Sequence, residues 1–264
     1  MINFYKLVYA KLNLDYDTSR FINEYDSYIL PVSKPILNGK KTMEHAYETN
    51  KQWNMVPEEI YYQADHRDEN KYIKRGYPSW DGASLMYLDS EDKELSENSI
   101  GGSVSVRNYA LDKMGEFKFF PQYENLEIVK FIKDLPLTNL IGIRCVSLKE
   151  NTFALIHRDD SNHLPKSQRI LETQKMVNNY LWKSGFVQIT INLSNGGVPL
   201  YYGINNRLAP EYKTADDKIY LFNDYAYHGV PLTLERRRQI RVTGRPTPEL
   251  LKLIEYSTIQ NFQD

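Results

Sequence analysis

Short strands separated by turns fill the second half of this chain and constrain its fold more than any other feature. Residues Val187–Leu193 alternate between apolar and polar side chains, as in a strand with two different faces. Asn195-Gly196-Gly197 then supplies a hairpin turn, and other short strands are predicted at 141–148, 153–157 and 218–224. Because the strands follow one another without intervening helical repeats, the pattern predicts a mainly β sandwich or barrel.

Helices are predicted on both sides of this strand region. Apolar residues at helical spacing follow Asp17 and end at Pro31, and a second amphipathic helix is predicted at 126–135. The same portion is predicted to hold a peripheral strand within 3–14, a short helix at 57–62 and strands at 83–88 and 103–109. Thr247 before Pro248 predicts the start of a C-terminal helix with proline in its first position. In the absence of repeats or a linker we expect one domain, which divides into a mixed N-terminal portion at 1–140, a strand core at 141–245 and a terminal helix at 246–264.

Two possible metal ligands stand two positions apart at the end of a predicted strand. His157 and Asp159 follow an apolar run, and residues i and i+2 of a strand point to the same side. His228 would arrive as a third ligand from another strand about seventy positions later. Two rivals stand in the same segment. Asp160 would point to the opposite side of a regular strand, and His163 lies beyond the strand.

Two histidines and one carboxylate on one face of a metal ion leave the opposite face open. This is the ligand set of non-haem iron(II) oxygenases. The residues His157, Asp159 and His228 would therefore hold Fe(II), with room for dioxygen and a bidentate co-substrate. With ligands at these positions, we expect the strands to form a double-stranded β-helix, or jelly roll.

The segment after His228 resembles the 2-oxoglutarate- and iron(II)-dependent oxygenase superfamily. In that family the distal histidine is followed by a proline-containing turn and then by a strand with a basic residue about ten positions on. Pro231 and Arg238 stand at these places. Lys218–Asp224 is similar to the family's strand into the distal histidine, notably in aspartyl/asparaginyl hydroxylase-like members. The resemblance covers about residues 141–245.

The resemblance implies that 2-oxoglutarate is converted to succinate and carbon dioxide while a substrate is hydroxylated. The distal carboxylate of 2-oxoglutarate needs a cation, and arginine can bind it through two parallel hydrogen bonds. Arg238 fits the family offset, whereas Arg241 has the Thr243 hydroxyl on the same strand face. They are three positions apart, so only one of them can face the cofactor. The alternative is a solvated edge strand at 236–245, whose basic residues prevent pairing with strands of other chains.

Further site residues are predicted on neighbouring strands. The cavity would be lined either by Gln188, Thr190 and Asn192 or by the apolar set at 187, 189, 191 and 193, with Gln188 in the cofactor site and Asn192 near the substrate. Tyr201 or Tyr202 would add a hydroxyl to the 2-oxoglutarate site. Arg144, an isolated charge in an apolar strand, is either a clamp for a substrate carboxylate or a surface residue. The expected substrate is small and polar, such as an amino acid or an amino-acid side chain.

Composition excludes several other classes of protein. The net charge is −1, from 33 Lys and Arg against 34 Asp and Glu, which disfavours a nucleic-acid binder. A single cysteine, Cys145, excludes an internal disulfide framework and favours a reducing compartment. We expect a cytoplasmic protein without a membrane span or signal peptide. The remaining alternative is a cupin-like metal-binding protein, or a metalloenzyme that does not use 2-oxoglutarate.

Overall fold

The computed structural model describes residues 2–4, 6–36, 80–89, 116–150, 152–157, 185–194, 200–203, 213–224, 226 and 228–262. Within these ranges, the backbone alone is described at 34–36, 80, 88, 152–157, 201 and 231–232. Two predicted elements, a strand at 103–109 and a short helix at 57–62, lie outside the described residues.

Antiparallel strands are the main secondary structure of the described chain and account for about half of its residues. They are β1 (Leu7–Lys11), β2 (Lys34–Ile36), β3 (Trp80–Ser84), β4 (Met86–Asp89), β5 (Glu116–Phe119), β6 (Leu137–Leu148), β7 (Thr152–His157), β8 (Val187–Asn192), β9 (Leu200–Tyr202), β10 (Lys213–Ala215), β11 (Ile219–Phe222), β12 (His228–Thr233), β13 (Arg237–Pro246) and β14 (Gln260–Asn261). The helices are α1 (Thr18–Glu24), α2 (Glu127–Asp134) and α3 (Pro248–Leu253), with a π-helical turn at Tyr25–Ile29. None of these helices has the length and apolar character required to cross a membrane.

The strands form two main sheets. The large sheet has the order β14-β1-β11-β8-β13-β6-β3-β2, and the small sheet has the order β10-β9-β12-β7. A separate pair consists of β4 and β5. The prediction of a mainly β chain with flanking helices is therefore confirmed.

The strands of the core are paired in the same order in both sheets. In the large sheet β6 pairs with β13, and in the small sheet β7 pairs with β12. Likewise β8 lies between β13 and β11, while β9 lies between β12 and β10. The first and last strands of the core are thus neighbours in each sheet, which brings distant parts of the sequence together.

Helices cover one face of the large sheet. The Asp17 side chain accepts a hydrogen bond of 3.0 Å from the backbone N–H of Arg20 and so caps α1. Glu24 at the end of α1 accepts hydrogen bonds from the first backbone N–H groups of α2, at 2.9 and 3.0 Å. Buried residues of both helices join one apolar cluster with the strands, among them Phe21, Val129, Ile132, Ile143, Ile191 and Val242.

The apolar and polar residues of β8 lie on opposite faces of the strand, as their alternation predicts. Its apolar residues at 187, 189 and 191, with Leu193 after it, belong to the helix-covered cluster. Gln188, Thr190 and Asn192 are also buried, at 3%, 2% and 3% exposure, and point to the opposite face. We call this opposite face, which looks between the two sheets, the interior face. The polar set therefore lines the interior.

Three sequence expectations differ from the structure. The strand expected at the periphery, β1, is paired on both sides by β11 and β14, and four of its five residues are buried. The single strand expected at 83–88 is divided at Leu85 into β3 and β4, which join different sheets. Thr247 precedes α3 but its side chain makes no capping hydrogen bond, and the proline in the first helical position, Pro248, is the start signal that the structure keeps.

Gly244 of β13 lies in a crowded place, and its replacement supplies a test of the sheet register. A Cβ atom there would come 2.9 Å from Cδ2 of Leu140 and 3.1 Å from the carbonyl oxygen of Thr138. We expect Gly244→Ala to lower the free energy of unfolding by about 1–3 kcal/mol in a denaturant titration. Leu140→Ala should not rescue it, since the backbone contact remains. Wild-type stability in Gly244→Ala would contradict this register.

Candidate functional site

The two predicted histidine ligands come together at one place in the small sheet. β7 and β12 are antiparallel neighbours, and the Cα atoms of His157 and His228 are direct partners in their register. The side chain of His157 is not described, and Asp159, Asp160 and His163 lie outside the described residues. In the parts of the chain that the structure describes, no group of three His, Cys, Asp or Glu side chains lies close enough to hold a metal ion.

The imidazole of His228 is fixed in an orientation that suits a metal ligand. The ring is 1% exposed, and its Nδ1 lies 2.9 Å from the carbonyl oxygen of Ala226. A carbonyl oxygen can only accept, so Nδ1 carries the hydrogen and Nε2 of the neutral ring bears a lone pair. The ring of Phe222 from the large sheet contacts it at 5.3 Å between centroids, which places His228 between the sheets. Metal-binding histidines commonly have this backbone partner on the other nitrogen.

Arginines of the large sheet face the same interior. β13 presents Arg237, Gln239, Arg241 and Thr243 to it, because alternate residues of a strand share a face. Arg237 is 1% exposed and Arg241 is 9% exposed. The pKa of Arg237 is lowered to about 10, chiefly by burial and to a smaller extent by the charge of Arg241, while Tyr220 opposes the shift. The two guanidinium groups are thus close enough to repel one another.

The hydroxyl of Tyr220 lies among several donor groups. The Nε2 amide of Gln239 donates a hydrogen bond to it at 3.0 Å, and the charge of the nearby Arg237 opposes the rise in the Tyr220 pKa that burial causes. Within the described ranges the Tyr220 hydrogen itself finds no acceptor. If the Gln239 amide is rotated, Tyr220 can donate to Oε1, and the Nε2 group becomes the donor left over. Either way a buried donor remains beside two guanidinium groups.

Gln188 adds another buried donor to the interior face. It is 3% exposed, and its Nε2 has no hydrogen-bond partner among the residues described. Its register partner on β13 is Thr243, which is 1% exposed. Buried donors without an acceptor cost free energy, so this wall of the interior is complementary to an anion.

Arg238 lies on the other face of β13, away from the interior. Its Nε donates to Oδ1 of Asp26 at 2.7 Å, and its Nη2 donates to Oδ2 at 2.8 Å. Asp26 belongs to the π-helical turn on the helix-covered side. The arginine at the family offset, Arg238, therefore binds the turn that follows α1, and Arg241 is the one on the interior face. The edge-strand interpretation of 236–245 is also corrected, because β13 is paired on both sides.

The Arg238–Asp26 pair should matter for stability. It is bidentate and the Arg238 side chain is only 18% exposed, so solvent screens it less than a surface ion pair. In a double-mutant cycle of Arg238→Gln and Asp26→Asn, we expect a coupling free energy of about 1–2 kcal/mol. Urea unfolding of the four proteins measures it. Additive effects of the two substitutions would contradict the geometry.

The remaining predicted residues fall at different places. Tyr202 is 2% exposed and its ring stacks on Tyr9 at 5.3 Å between centroids, whereas Tyr201 is described by its backbone alone. Oδ1 of Asn192 accepts a 3.3 Å hydrogen bond from the backbone N–H of Ser194. Arg144 lies on β6 with Arg241 as its direct register partner.

The strand connections place the arginine pair and the histidine pair at similar heights. Short turns join β6 to β7 and β12 to β13, so heights can be counted from these turns. Arg144 and Arg241 are each four residues from the turn, on β6 and β13. His157 and His228 are each five residues from it, on β7 and β12. At about 3.3 Å per residue the two pairs differ in height by about one residue, and packed sheets lie about 10 Å apart. By this estimate the backbones of His157 and His228 lie at about the height in the small sheet that Arg144 and Arg241 have in the large sheet.

Sequence reasoning missed Arg237, Tyr220 and Gln239. A signal for two of them was present, since Arg237 and Gln239 share the strand face of Arg241 and Thr243 by alternation. The sequence gives no such signal for Tyr220, because its place in the site depends on a side-chain contact between β11 and β13.

Comparison with known proteins gives limited information. No protein-family model matches the chain, and no curated protein matches it. Among solved structures, a prolyl-4-hydroxylase from Pseudomonas putida matches at 8% identity with a TM-score of 0.31, over 88% of this chain and 100% of the other. An oxidoreductase of the 2OG-Fe(II) oxygenase family from Burkholderia pseudomallei matches at 9% identity with a TM-score of 0.33, over 88% and 92%. At these TM-scores the likeness supports no conclusion about this chain.

Proposed function

We propose that this chain is an Fe(II)- and 2-oxoglutarate-dependent dioxygenase that hydroxylates a small polar substrate, such as an amino acid or an amino-acid side chain. The observation that carries the proposal is the buried His228 ring, with its hydrogen on Nδ1, opposite His157 in the strand register. The ring packs against Phe222 in the interior, whose other wall carries arginines. A metal-binding face and an anion-binding face therefore enclose one space.

A double-stranded β-helix is the fold that we propose for the strand core. The order β6-β13-β8-β11 in one sheet and β7-β12-β9-β10 in the other supports it, since the first and last strands are neighbours in both sheets. In such a fold the ends of β7 and β12 meet at one opening of the sandwich, which is where His157 and His228 lie.

His157, Asp159 and His228 are the proposed metal ligands. Bound Fe(II) would supply the reduction of dioxygen, with 2-oxoglutarate as the source of two electrons. The chain's part is to fix the ligands: the Ala226 carbonyl holds the His228 tautomer, and the Phe222 ring holds the imidazole plane. Asp159 would occupy the position that a halide takes in related halogenases, so hydroxylation is favoured over halogenation.

Arg241 is the proposed anchor for the distal carboxylate of 2-oxoglutarate. Its guanidinium faces the interior at the height of the histidines, and the Thr243 hydroxyl lies on the same face of β13. Arg237, Tyr220 and Gln188 add donors to the same wall. A dicarboxylate would satisfy these donors with one end while its 2-oxo acid end reaches the opposite wall.

Formation of succinate tests the proposed reaction. We expect the purified protein to convert 2-oxoglutarate to succinate only with both Fe(II) and dioxygen, and chelation of the metal should abolish this activity. Replacement of Fe(II) by Zn(II) is the matched control, because zinc accepts the same ligands but has no redox chemistry. A cupin-like protein, or a metalloenzyme that does not use 2-oxoglutarate, would form no succinate under any of these conditions.

A further inference from the structure

A buried asparagine begins the turn that leads from β11 to His228. Asn223 directly follows β11 and is 0% exposed, and its backbone carbonyl accepts a 3.0 Å hydrogen bond from the backbone N–H of Ala226. This bond closes a turn, and the Ala226 carbonyl at its end lies 2.9 Å from Nδ1 of His228. The position of the acceptor for the His228 ring therefore depends on how this turn is held.

Two hydrogen bonds hold Asn223 to the backbone of β1. Its backbone N–H donates to the carbonyl oxygen of Val8 at 2.9 Å, and its side-chain Nδ2 donates to the carbonyl oxygen of Leu7 at 3.3 Å. Because a carbonyl oxygen can only accept, the side-chain amide must present its NH2 group to Leu7. β1 is itself paired on both sides, with β11 and β14, so the turn is fastened to a supported strand.

A turn by itself does not require a buried amide. Asparagine is common in turns because its side chain hydrogen-bonds to nearby backbone, and turns usually lie at the surface. The Asn223 side chain instead reaches the backbone of another strand, where it is fully buried. A buried polar group costs free energy unless it is hydrogen-bonded, and an apolar side chain would fill the same space without that cost. What the amide adds is a fixed position for the turn.

The same segment contacts the His228 ring from a second side. Phe222, the residue before Asn223, is the register partner of Tyr9 on β1, and its ring lies 5.3 Å from the imidazole between centroids. Asn223 thus stands in the chain between the ring that packs on His228 and the carbonyl of Ala226. A shift of its backbone would displace both contacts.

We infer that Asn223 is a positioning residue for His228: its amide fastens the turn between Asn223 and Ala226 to β1, so that the Ala226 carbonyl keeps the ring hydrogen on Nδ1. Nε2 then carries the lone pair that a metal ligand needs. The importance of this orientation for metal binding rests on the proposed function, whereas the orientation itself is a property of the metal-free chain.

The tautomer of the His228 ring tests this role by nitrogen NMR of protein labelled in its histidines. At a pH about two units above the usual pKa of histidine the rings are neutral, and their nitrogen shifts report which nitrogen carries the hydrogen. The His228 signals are identified by their absence from His228→Gln. We expect the Nδ1–H form in wild type and a mixture of both tautomers in Asn223→Ala. Asn223→Leu, which fills more of the space, should give the same result, and an osmolyte that favours the folded state is added to all samples.

Thr258→Val is the matched control. Oγ1 of Thr258 accepts a 2.9 Å hydrogen bond from the backbone N–H of Lys11, so this substitution also removes a side-chain contact with the backbone of β1, but at the end away from Asn223. It should leave the tautomer unchanged. Zn(II) affinity, measured by competition with a chelating dye, should fall about tenfold in the two Asn223 variants and not in Thr258→Val.

Three results would each overturn the role of Asn223. They are a wild-type His228 ring with its hydrogen on Nε2, an unchanged tautomer in a folded Asn223→Ala or Asn223→Leu protein, and an equal change of tautomer in Thr258→Val. Failure of wild type to bind Zn(II), with the expected tautomers observed, would contradict the proposed function and would support the role of Asn223 in orienting the ring.

Discussion

Replacement of either proposed histidine ligand by alanine is expected to abolish Fe(II)-dependent succinate formation, with a loss of at least about a hundredfold. Changes in the outer hydrogen-bond partners of a metal site already cost about 10- to 100-fold, and in the proposed site His157→Ala and His228→Ala would each remove a ligand itself. His228→Ala also removes the ring that lies between Phe222 and the Ala226 carbonyl. Succinate is measured by chromatography, and circular dichroism verifies that each variant is folded.

His163→Ala is the matched control, since His163 stands in the same segment as His157 but beyond the predicted strand. It should keep near wild-type activity. Asp159→Gly should lower Fe(II) affinity and activity, whereas Asp160→Gly should not. Full activity in a folded His157→Ala or His228→Ala protein would contradict the proposed ligand set, and activity loss in Asp160→Gly alone would move the carboxylate ligand by one position.

Arg241→Ala is expected to weaken 2-oxoglutarate binding by about 10- to 150-fold. In the proposed complex the substitution would remove a charge-assisted contact of about 1.5–3 kcal/mol with the distal carboxylate. Arg238→Ala, three residues away, should change 2-oxoglutarate affinity little and reduce stability instead, because Arg238 binds Asp26 on the helix-covered face. Calorimetric titration in the presence of Zn(II), with urea unfolding of the same variants, separates the two effects. The reverse pattern would contradict the placement of β13.

The two arginines also show what could be predicted from the sequence. Strand alternation fixes that Arg238 and Arg241 face opposite sides, and it correctly groups Gln188, Thr190 and Asn192 on one face. It does not fix which face of β13 looks between the sheets, because both faces become buried. That choice is made by α1 and its following turn, which cover one face and bring Asp26 to Arg238.

The pairing of distant strands could be predicted only in outline. The proposed ligand set predicts that His157 and His228 approach one another, and the register of β7 with β12 places their backbones side by side. The contact of Arg237 and Gln239 with Tyr220 depends on how far side chains reach across neighbouring strands, which alternation alone does not determine. The division of 83–88 between two sheets likewise depends on tertiary pairing.

An anaerobic titration with Fe(II) and 2-oxoglutarate tests the central claim most directly. We predict an absorption band in the visible region, from metal-to-ligand charge transfer, that needs both components and saturates. The band should be absent in His228→Ala and should require more 2-oxoglutarate in Arg241→Ala, but not in Arg238→Ala. A wild-type protein that binds Fe(II) yet develops no band when 2-oxoglutarate is added would contradict the proposal.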